Sequence, residues 1–302
     1  MKKILIKYNV VKECPLCGSR GKVKAKLSRP SYFFGELDIP LPVSGVFLIE
    51  CSNCSLLFKS SIPNQVDFRK VMSLEAKKVW RPKKGVHPAI ELIKPYFKSD
   101  ATRIIDIGAA NGDLLAQLKS YSSYLSALDI VSFPTCVRIV NGEYIIGNIE
   151  EKLIWSGDGY DIVTAFDIFE HFFNPKNAIV NISSLLLKNG KLIIETGDYT
   201  CFEGNIRSWY YANLFEHQIF WNYKSIEYLC KRFEFKQIEY NRVKNKNLRN
   251  IPLSKKILLY FISKLSLIPC FNRVMLSLGK GDPSRFAPTS LKDHAFIVLQ
   301  KV

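Results

Sequence analysis

Residues 104–115, which read IIDIGAANGDLL, decide the fold of this chain. An apolar run reaches the carboxylate of Asp106, a loop rich in glycine and alanine follows, and an apolar-periodic helix begins. Small residues in such a loop let a ligand approach the backbone, and they direct the N-terminus of the helix at it. The stretch therefore predicts a strand, a tight ligand-binding turn and a helix.

Strand and helix patterns alternate along the rest of the chain. The expected strands begin with RIIDIG at residue 103, YLSALDI at 124, YDIVTAF at 160, KLIIETGD at 191, FKQIEY at 235 and HAFIVLQKV at 294. The expected helices lie at 87–97, 113–121, 174–190 and 225–233, the third ending at Gly190. This alternation predicts an α/β fold with a doubly wound parallel sheet, which binds ligands beyond the carboxyl ends of its strands.

The charges around the turn indicate which nucleoside would bind. Asp129 follows Asp106 by 23 residues, at the end of the second strand, where a carboxylate holds ribose hydroxyls. The loop reads D-x-G-x-A-x-G rather than the G-x-G-x-x-G of dinucleotide-binding proteins. The negative charge of Asp106 would repel a pyrophosphate, but it suits an ammonium and a sulfonium group. We therefore predict S-adenosylmethionine as the cofactor, in preference to NAD.

With these motifs the chain resembles the class I S-adenosylmethionine-dependent methyltransferases over roughly residues 85–240 and the last strand. IIDIGAANGDLL resembles their first motif, with Ala110 in place of the usual glycine, and LDI carries their ribose-binding acid. GNIEE has Asn148 where the family usually has an adenine-binding aspartate. The resemblance implies a cofactor site formed by Asp106, Gly108, Ala109, Ala110, Asn111, Gly112, Asp129, Ile130, Asn148, Ile149, Phe166 and Asp167.

Four of the eight cysteines form two C-x-x-C pairs, CPLC with Cys14 and Cys17 and CSNC with Cys51 and Cys54. In a reducing compartment this spacing predicts a zinc ion rather than disulfides. Four thiolates close a tetrahedral coordination shell, so the predicted zinc is structural. The 33 residues between the pairs require a small sheet, with GVFLIEC as its last strand.

A narrower resemblance combines the cysteine pairs, the core and the segment FEHQIFWNYKSIEYLCKRFEF. Together they are similar to zinc-knuckle methyltransferases of sugar and natural-product pathways, including those that methylate a carbon of nucleotide-linked deoxysugars. The resemblance implies His217 on the substrate side and His171 of FEHF near the sulfonium. Because a hydroxyl needs a base during attack, we predict His217 as the general base, with Glu216 to orient it; substrate binding alone is the alternative role of His217. Leu214 replaces a tyrosine that the carbon-methylating enzymes carry. A hydroxyl of a carbohydrate is therefore the expected acceptor, and Tyr210, Tyr211 and Trp221 are candidates to stack on it.

The net charge of +16 is concentrated at the two ends of the chain. Residues 1–60 carry +6, residues 61–240 carry zero and residues 241–302 carry +10. Residues 241–285 are expected to form a helical insertion before the last strand, either as a cap on the core or as a basic contact with an acidic membrane surface. The basic ends also leave open an RNA base methyltransferase, although nucleic acid is the less favoured partner.

These observations predict a zinc-knuckle domain over residues 1–75 and a methyltransferase domain over residues 76–302. The opening MKKILIKYNV lacks the pattern of a secretory signal, and no uncharged apolar stretch reaches the ~20 residues of a membrane span. We therefore expect a cytoplasmic enzyme, with peripheral contact at the inner membrane face as the alternative. A non-catalytic module that only holds the nucleoside is the remaining alternative, against which Asp106, Gly108 and Asp129 argue.

Overall fold

A computed structural model describes residues 2–27, 31–82, 87, 89–97, 99–152, 157–202, 206–213, 215–244 and 292–302. Most of the predicted insertion over residues 241–285 lies outside these ranges, so it stays a prediction. Within them, no helix is long and apolar enough to cross a bilayer.

The N-terminal part is a β-rich module that is followed by one long helix. Its strands are β1 (Lys2–Lys3), β2 (Tyr8–Val10), β3 (Gly21–Leu27), β4 (Ser31–Phe34), β5 (Leu37–Pro40), β6 (Val46–Cys51), β7 (Leu57–Lys59) and β8 (Ser61–Pro63). β6 is the strand predicted from GVFLIEC, and it is the last one between the cysteine pairs. Helix α1 (Gln65–Val79) begins at Asn64, whose side chain accepts a hydrogen bond from the backbone N–H of Val66. This helix runs across residue 75, the predicted end of the first domain.

The remaining elements alternate between strands and helices. They are α2 (Ile90–Ile93), β9 (Arg103–Ile107), α3 (Asp113–Leu118), β10 (Tyr124–Asp129), α4 (Pro134–Ile139), β11 (Tyr144–Ile146), β12 (Tyr160–Phe166), α5 (Pro175–Leu185), β13 (Leu186–Gly197), β14 (Ile219–Phe220), α6 (Tyr223–Arg232), β15 (Phe235–Val243) and β16 (His294–Lys301). Short 3₁₀ turns lie at Lys94–Tyr96, Phe169–His171, Tyr199–Phe202, Ile206–Ser208 and Tyr210–Asn213.

Seven of these strands form one sheet, in the order β11-β10-β9-β12-β13-β16-β15. The first five are parallel, as predicted, but β16 runs antiparallel to β13 and to β15. The sheet is therefore mixed: the predicted parallel strands form its larger part, and β16 adds antiparallel pairing on one side. In the register of the sheet, Asp106 of β9 lies opposite Ala127 of β10 and Thr164 of β12.

Both faces of the sheet are covered, because alternate residues of the central strands enter different apolar clusters. Ile105 and Ile107 of β9 belong to one cluster, and Ile104 belongs to the other, with Leu115 and Leu118 of α3. Burying each such side chain contributes about 1.5–3 kcal/mol. This burial holds β9 at the centre of the sheet and fixes the position of the turn that follows it.

Helix α5 is shorter than its sequence pattern predicts. It ends at Leu185 rather than at Gly190, and β13 begins directly at Leu186. Leu186 pairs with Tyr160 at the start of β12, and Asn189 has a positive φ of 63°. Residues that the helical periodicity assigned to α5 therefore belong to β13, because they pair in the sheet.

Strand β14 joins the two parts of the protein. It extends a four-stranded sheet of order β14-β7-β6-β3, whose other three strands belong to the N-terminal module. Ile219 pairs with Phe58, and Phe220 pairs with Leu57. Leu16 of the module also packs in the same apolar cluster as Ile226 of α6. The N-terminal module is thus built onto the segment that contains His217.

Candidate active site

The turn after β9 has the conformation that its glycines predict. Gly108 and Gly112 have φ angles of 71° and 77°, in the left-handed region that glycine enters without strain. A Cβ atom on Gly108 would lie 2.0 Å from Cδ1 of Ile168. The turn is therefore packed directly against the segment that follows β12, and it leaves no room for a larger residue.

Asp106 and Asp129 lie at the carboxyl ends of the neighbouring strands β9 and β10. Asp106 accepts a hydrogen bond of 2.7 Å from the Thr164 hydroxyl. Asp129 accepts bonds of 2.9 Å from the backbone N–H groups of Ala110 and Val131. Burial raises the pKa of Asp129, while these N–H groups favour its ionised form. The two carboxylates flank the turn, as a cofactor with a ribose and an ammonium group requires.

The predicted adenine side is formed by residues after β10 and β11. Ile130 exposes 38% of its surface beside the buried Asp129 and offers an apolar face for a ring. Ile149 is buried. The side-chain oxygen of Asn148 accepts the backbone N–H of Glu150 at 3.0 Å, so the side chain that we predicted to bind adenine is fixed by a local turn.

Four further predicted cofactor residues lie around the turn in different roles. Ala109 is buried, and the Asn111 side chain donates a hydrogen bond to the Trp80 carbonyl. Phe166 ends β12, and Asp167 follows it with a positive φ of 55°. Such a backbone is uncommon outside glycine and is found at functional sites. Asn111 thus ties the turn to the end of α1, while Asp167 lies at the expected edge of the sheet.

The structure brings His171 and His217 together, 46 residues apart in sequence. Their ring centroids lie 5.0 Å apart. The His171 side chain is 18% exposed and that of His217 is 5% exposed. Nδ1 of His217 lies 2.9 Å from the carbonyl oxygen of Tyr211. Because a carbonyl only accepts, Nδ1 carries the proton and Nε2 carries the lone pair in the neutral ring. Burial lowers the pKa of His217 well below its usual value, which favours that neutral ring.

Glu170 is the carboxylate beside both histidines, and sequence reasoning missed it. Its side chain is fully buried and accepts hydrogen bonds from the hydroxyls of Thr196, at 2.7 Å, and Tyr211. Its Oε1 lies 3.7 Å from Nε2 of His171 and 3.7 Å from Nε2 of His217. Glu216, predicted to orient His217, is buried next to it in the chain. The sequence feature that could have identified Glu170 is its position directly before His171.

His217 is held between the N-terminal module and the main sheet. The next residue, Gln218, donates its backbone N–H to the Glu170 carbonyl at 2.7 Å, and its own carbonyl accepts from the N–H of Lys59 at 3.0 Å. Residues 219–220 then pair with β7. The predicted stacking residues Tyr211 and Trp221 are 3% and 1% exposed. They are packed in the core rather than presented to an acceptor, and the side chain of Tyr210 lies outside the described residues.

The four cysteines of the two pairs form one cluster. Cys14 Sγ lies 3.5 Å from Cys54 Sγ, and Cys17 Sγ lies 3.3 Å from Cys51 Sγ. All four sulfur atoms lie within 4.8 Å of one another. Thiolates about 2.3 Å from one tetrahedral ion are separated by roughly 3.8 Å. The donor set and its spacing therefore fit zinc.

The two remaining histidines differ sharply in environment. His87 lies before α2 and contacts the ring of Phe166 edge-on. His294, which opens β16, is fully buried, with Nδ1 2.9 Å from Asp293 and Nε2 3.8 Å from Asp167. Burial disfavours the charged form of His294, but attraction to the two aspartates outweighs this effect and raises the pKa of His294 to about 9. His294 is thus a buried partner of Asp167 at the edge of the site.

Comparison with known proteins agrees with this geometry. Residues 79–240, more than half of the chain, match a family described as a methyltransferase domain. The chain belongs to this methyltransferase-domain family. A ubiquinone biosynthesis O-methyltransferase of Xanthomonas axonopodis pv. citri is 25% identical over 154 residues, which cover 46% of this chain and 63% of that protein. The corresponding protein of Salmonella typhi is 22% identical over 171 residues, covering 51% and 69%.

The fold is shared with solved structures as well. A chain from a complex of the Haloferax volcanii Trm112 methyltransferase activator with a methyltransferase superposes with a TM-score of 0.50 at 11% identity. The superposition covers 78% of this chain and 93% of that chain. At this identity the likeness concerns the fold alone. The chain therefore has the Rossmann-like class I methyltransferase fold, with a cysteine-rich module at its N-terminus.

Proposed function

We propose that this protein is an S-adenosylmethionine-dependent methyltransferase that methylates a hydroxyl of a carbohydrate. One observation carries the proposal: the nucleoside-binding turn at Gly108 packs on Ile168, two residues before the cluster of Glu170 and the two histidines. The turn that we assign to the donor thus lies next to a group of side chains able to accept a proton, at one edge of the sheet. The family membership supports the reaction class.

The residues around the turn fit the cofactor. Asp129 would hold the ribose hydroxyls, Asp106 would face the ammonium group, and Ile130 would cover the adenine. When bound, S-adenosylmethionine supplies an electrophilic methyl group on sulfur. The protein must position the acceptor in line with that methyl group and remove the acceptor proton. His217 and His171 are the side chains that we propose for this deprotonation.

Oxygen is the favoured methyl acceptor. The curated relatives are named as O-methyltransferases, although the match spans less than two thirds of the length of the first of them. Leu214 replaces the tyrosine of the carbon-methylating enzymes that the chain resembles. The similarity to zinc-knuckle enzymes of sugar pathways supports a carbohydrate, nucleotide-linked, lipid-linked or part of a polysaccharide. At the cysteine cluster we propose a structural zinc ion.

Methylation of an RNA base is the second candidate. It is favoured by the basic ends of the chain and by the exposed lysines at positions 22, 24 and 26 of β3, which is an edge strand of its sheet. Contact with an acidic membrane surface would instead be made by the lysine and arginine side chains of residues 241–285.

Calorimetry with S-adenosylhomocysteine tests the donor site, and Asp129→Asn is the decisive variant. We expect binding to the wild type and a loss of at least tenfold in affinity in Asp129→Asn, because the ribose loses its carboxylate. Asp158→Asn, at a position whose side chain is 96% exposed, is the matched control and should bind normally. Uptake of NADH instead of the nucleoside would contradict the proposal.

The acceptor is tested by a mass-spectrometric screen of nucleotide sugars for the gain of one methyl group. We expect His217→Ala to lose turnover while its affinity for S-adenosylhomocysteine stays within twofold of the wild type. Unchanged turnover in His217→Ala would remove this histidine from the mechanism.

A further inference from the structure

Three donor atoms converge beyond β12, in the cluster of Glu170, His171 and His217. Oε1 of Glu170 lies 3.7 Å from Nε2 of each histidine, and the three atoms lie within 4.8 Å of one another. A separation of 3.7 Å is too long for a hydrogen bond. Ligands about 2.1 Å from one tetrahedral ion are separated by roughly 3.4 Å. The spacing fits a shared cation better than direct contact.

The tautomer of His217 places the lone pair of its Nε2 toward Oε1 of Glu170. Its Nδ1 donates to the carbonyl of Tyr211 at 2.9 Å, so Nε2 of the neutral ring is an acceptor. The group that Nε2 faces, Oε1 of Glu170, is an acceptor too. Two buried acceptors that face each other are stabilised by a positive centre between them, either a proton or a metal ion.

The outer contacts of the cluster are those that metal ligands make. A metal-bound histidine usually donates its second ring N–H to a carbonyl or a carboxylate, and a metal-bound carboxylate is hydrogen-bonded in turn. Tyr211 supplies the carbonyl to His217 and its hydroxyl to Glu170. Thr196 donates to the other oxygen of Glu170 at 2.7 Å. These bonds hold two of the three donor atoms in place.

We propose that Glu170, His171 and His217 bind a divalent metal ion of the zinc class, through Oε1 and the two Nε2 atoms. Two imidazoles and one carboxylate form a donor set that catalytic zinc sites use, with the fourth position left for water or substrate. The partial exposure of His171 gives this fourth position an opening. The site is separate from the cysteine cluster, whose four thiolates leave no open position.

The role of this ion rests on the proposed function. A hydroxyl of the acceptor that coordinates the ion becomes more acidic and releases its proton to solvent. The resulting alkoxide oxygen forms a bond to the methyl carbon as the carbon–sulfur bond breaks, and the sulfonium becomes a neutral thioether. The two histidines then promote the deprotonation assigned to them above as ligands of the ion, in place of direct proton transfer to a ring nitrogen.

The test is the metal content of the purified full chain, measured by plasma mass spectrometry after dialysis against zinc-containing buffer. We expect two zinc ions per chain in the wild type and in the control variant His87→Gln. His171→Gln should retain one ion, and Cys51→Ser should also retain one. One ion in the wild type, unchanged in His171→Gln and lost in Cys51→Ser, would overturn the proposal.

Cobalt substitution shows whether the variants are folded and which site each has lost. We expect the near-ultraviolet thiolate-to-cobalt band to persist in His171→Gln and to disappear in Cys51→Ser. The weak visible bands of a nitrogen- and oxygen-bound cobalt ion should disappear in His171→Gln and persist in Cys51→Ser. Identical visible bands in wild type and His171→Gln would contradict the site.

Calorimetry with S-adenosylhomocysteine separates this inference from the proposed function. Normal nucleoside binding and methylation in protein with a single zinc ion would overturn the metal site and leave the function standing. Two zinc ions in protein that binds no S-adenosylhomocysteine would support the metal site and overturn the proposed function.

Discussion

Ala110 has a φ of 45°, in the left-handed region where a Cβ atom is strained. The resembling methyltransferases usually have glycine there. We predict that Ala110→Gly raises the free energy of unfolding by about 0.5–1 kcal/mol, because relief of this strain exceeds the added entropy of the unfolded chain. Chemical denaturation measures this change. Ala109→Gly, where no positive φ is recorded, should destabilise the protein instead, and equal effects of the two substitutions would contradict the explanation.

Glu150 makes stability depend on pH. Burial raises its pKa from 4.5 to about 7, against the backbone N–H groups of Phe173 and Asn174, which bond to its carboxylate. Because the folded pKa lies above the unfolded one, the contribution of Glu150 is fully present below pH 4.5. It is lost as the pH rises through 7, with a total change on the order of 3 kcal/mol at most.

Denaturation at pH 5 and pH 8 tests this prediction with Glu150→Gln. The difference in unfolding free energy between the two pH values should be smaller in this variant than in the wild type. Glu151→Gln, at the neighbouring position with a side chain that is 55% exposed, should keep the wild-type difference. The prediction fails if Glu150→Gln and Glu151→Gln show the same pH dependence.

At the scale of elements, the strand β14 couples the cysteine cluster to His217. Cys51 ends β6, β6 pairs with β7, and β7 pairs with β14, which begins two residues after His217. We predict that Cys51→Ser loosens this path without separating Glu170, His171 and His217, so that turnover falls at least tenfold while S-adenosylhomocysteine still binds. Hydrogen exchange should accelerate at residues 57–59 and 217–220.

Cys201→Ser is the control for this coupling, because Cys201 lies outside the cluster. It should leave both the exchange rates and turnover unchanged. If residues 217–220 exchange at the wild-type rate in Cys51→Ser, the N-terminal module does not hold the histidine in place.

At the scale of the whole molecule, the charge distribution distinguishes the two candidate substrates. The excess charge of +6 over residues 1–60 and +10 over residues 241–302 favours polyanions. If RNA is the substrate, its binding constant must fall steeply with salt, in proportion to the phosphates contacted. For a carbohydrate enzyme we expect filter binding of RNA only at low salt, and none at 0.2 M. Retention at 0.2 M salt would favour the RNA alternative.

The sequence by itself determined the turn, the strands on either side of it and the cysteine cluster. The turn and the strands depend on residues that are close in sequence, and paired C-x-x-C cysteines are typical of metal binding. The structure confirms the turn and the grouping of the cysteines. Local periodicity gave the wrong end for α5, because pairing in the sheet places Leu186 in β13. It carries no information on the direction of β16.

Only the tertiary structure decided which carboxylate accompanies His217. Glu216 is its neighbour in sequence, but the bond from the Gln218 N–H to the Glu170 carbonyl and the pairing of β14 with β7 bring His217 beside Glu170. The aromatic residues Tyr211 and Trp221 were likewise assigned to the core by packing, not by their composition. Contacts between residues distant in sequence depend on how strands pair and on which surfaces exclude water, and these are properties of the folded molecule as a whole.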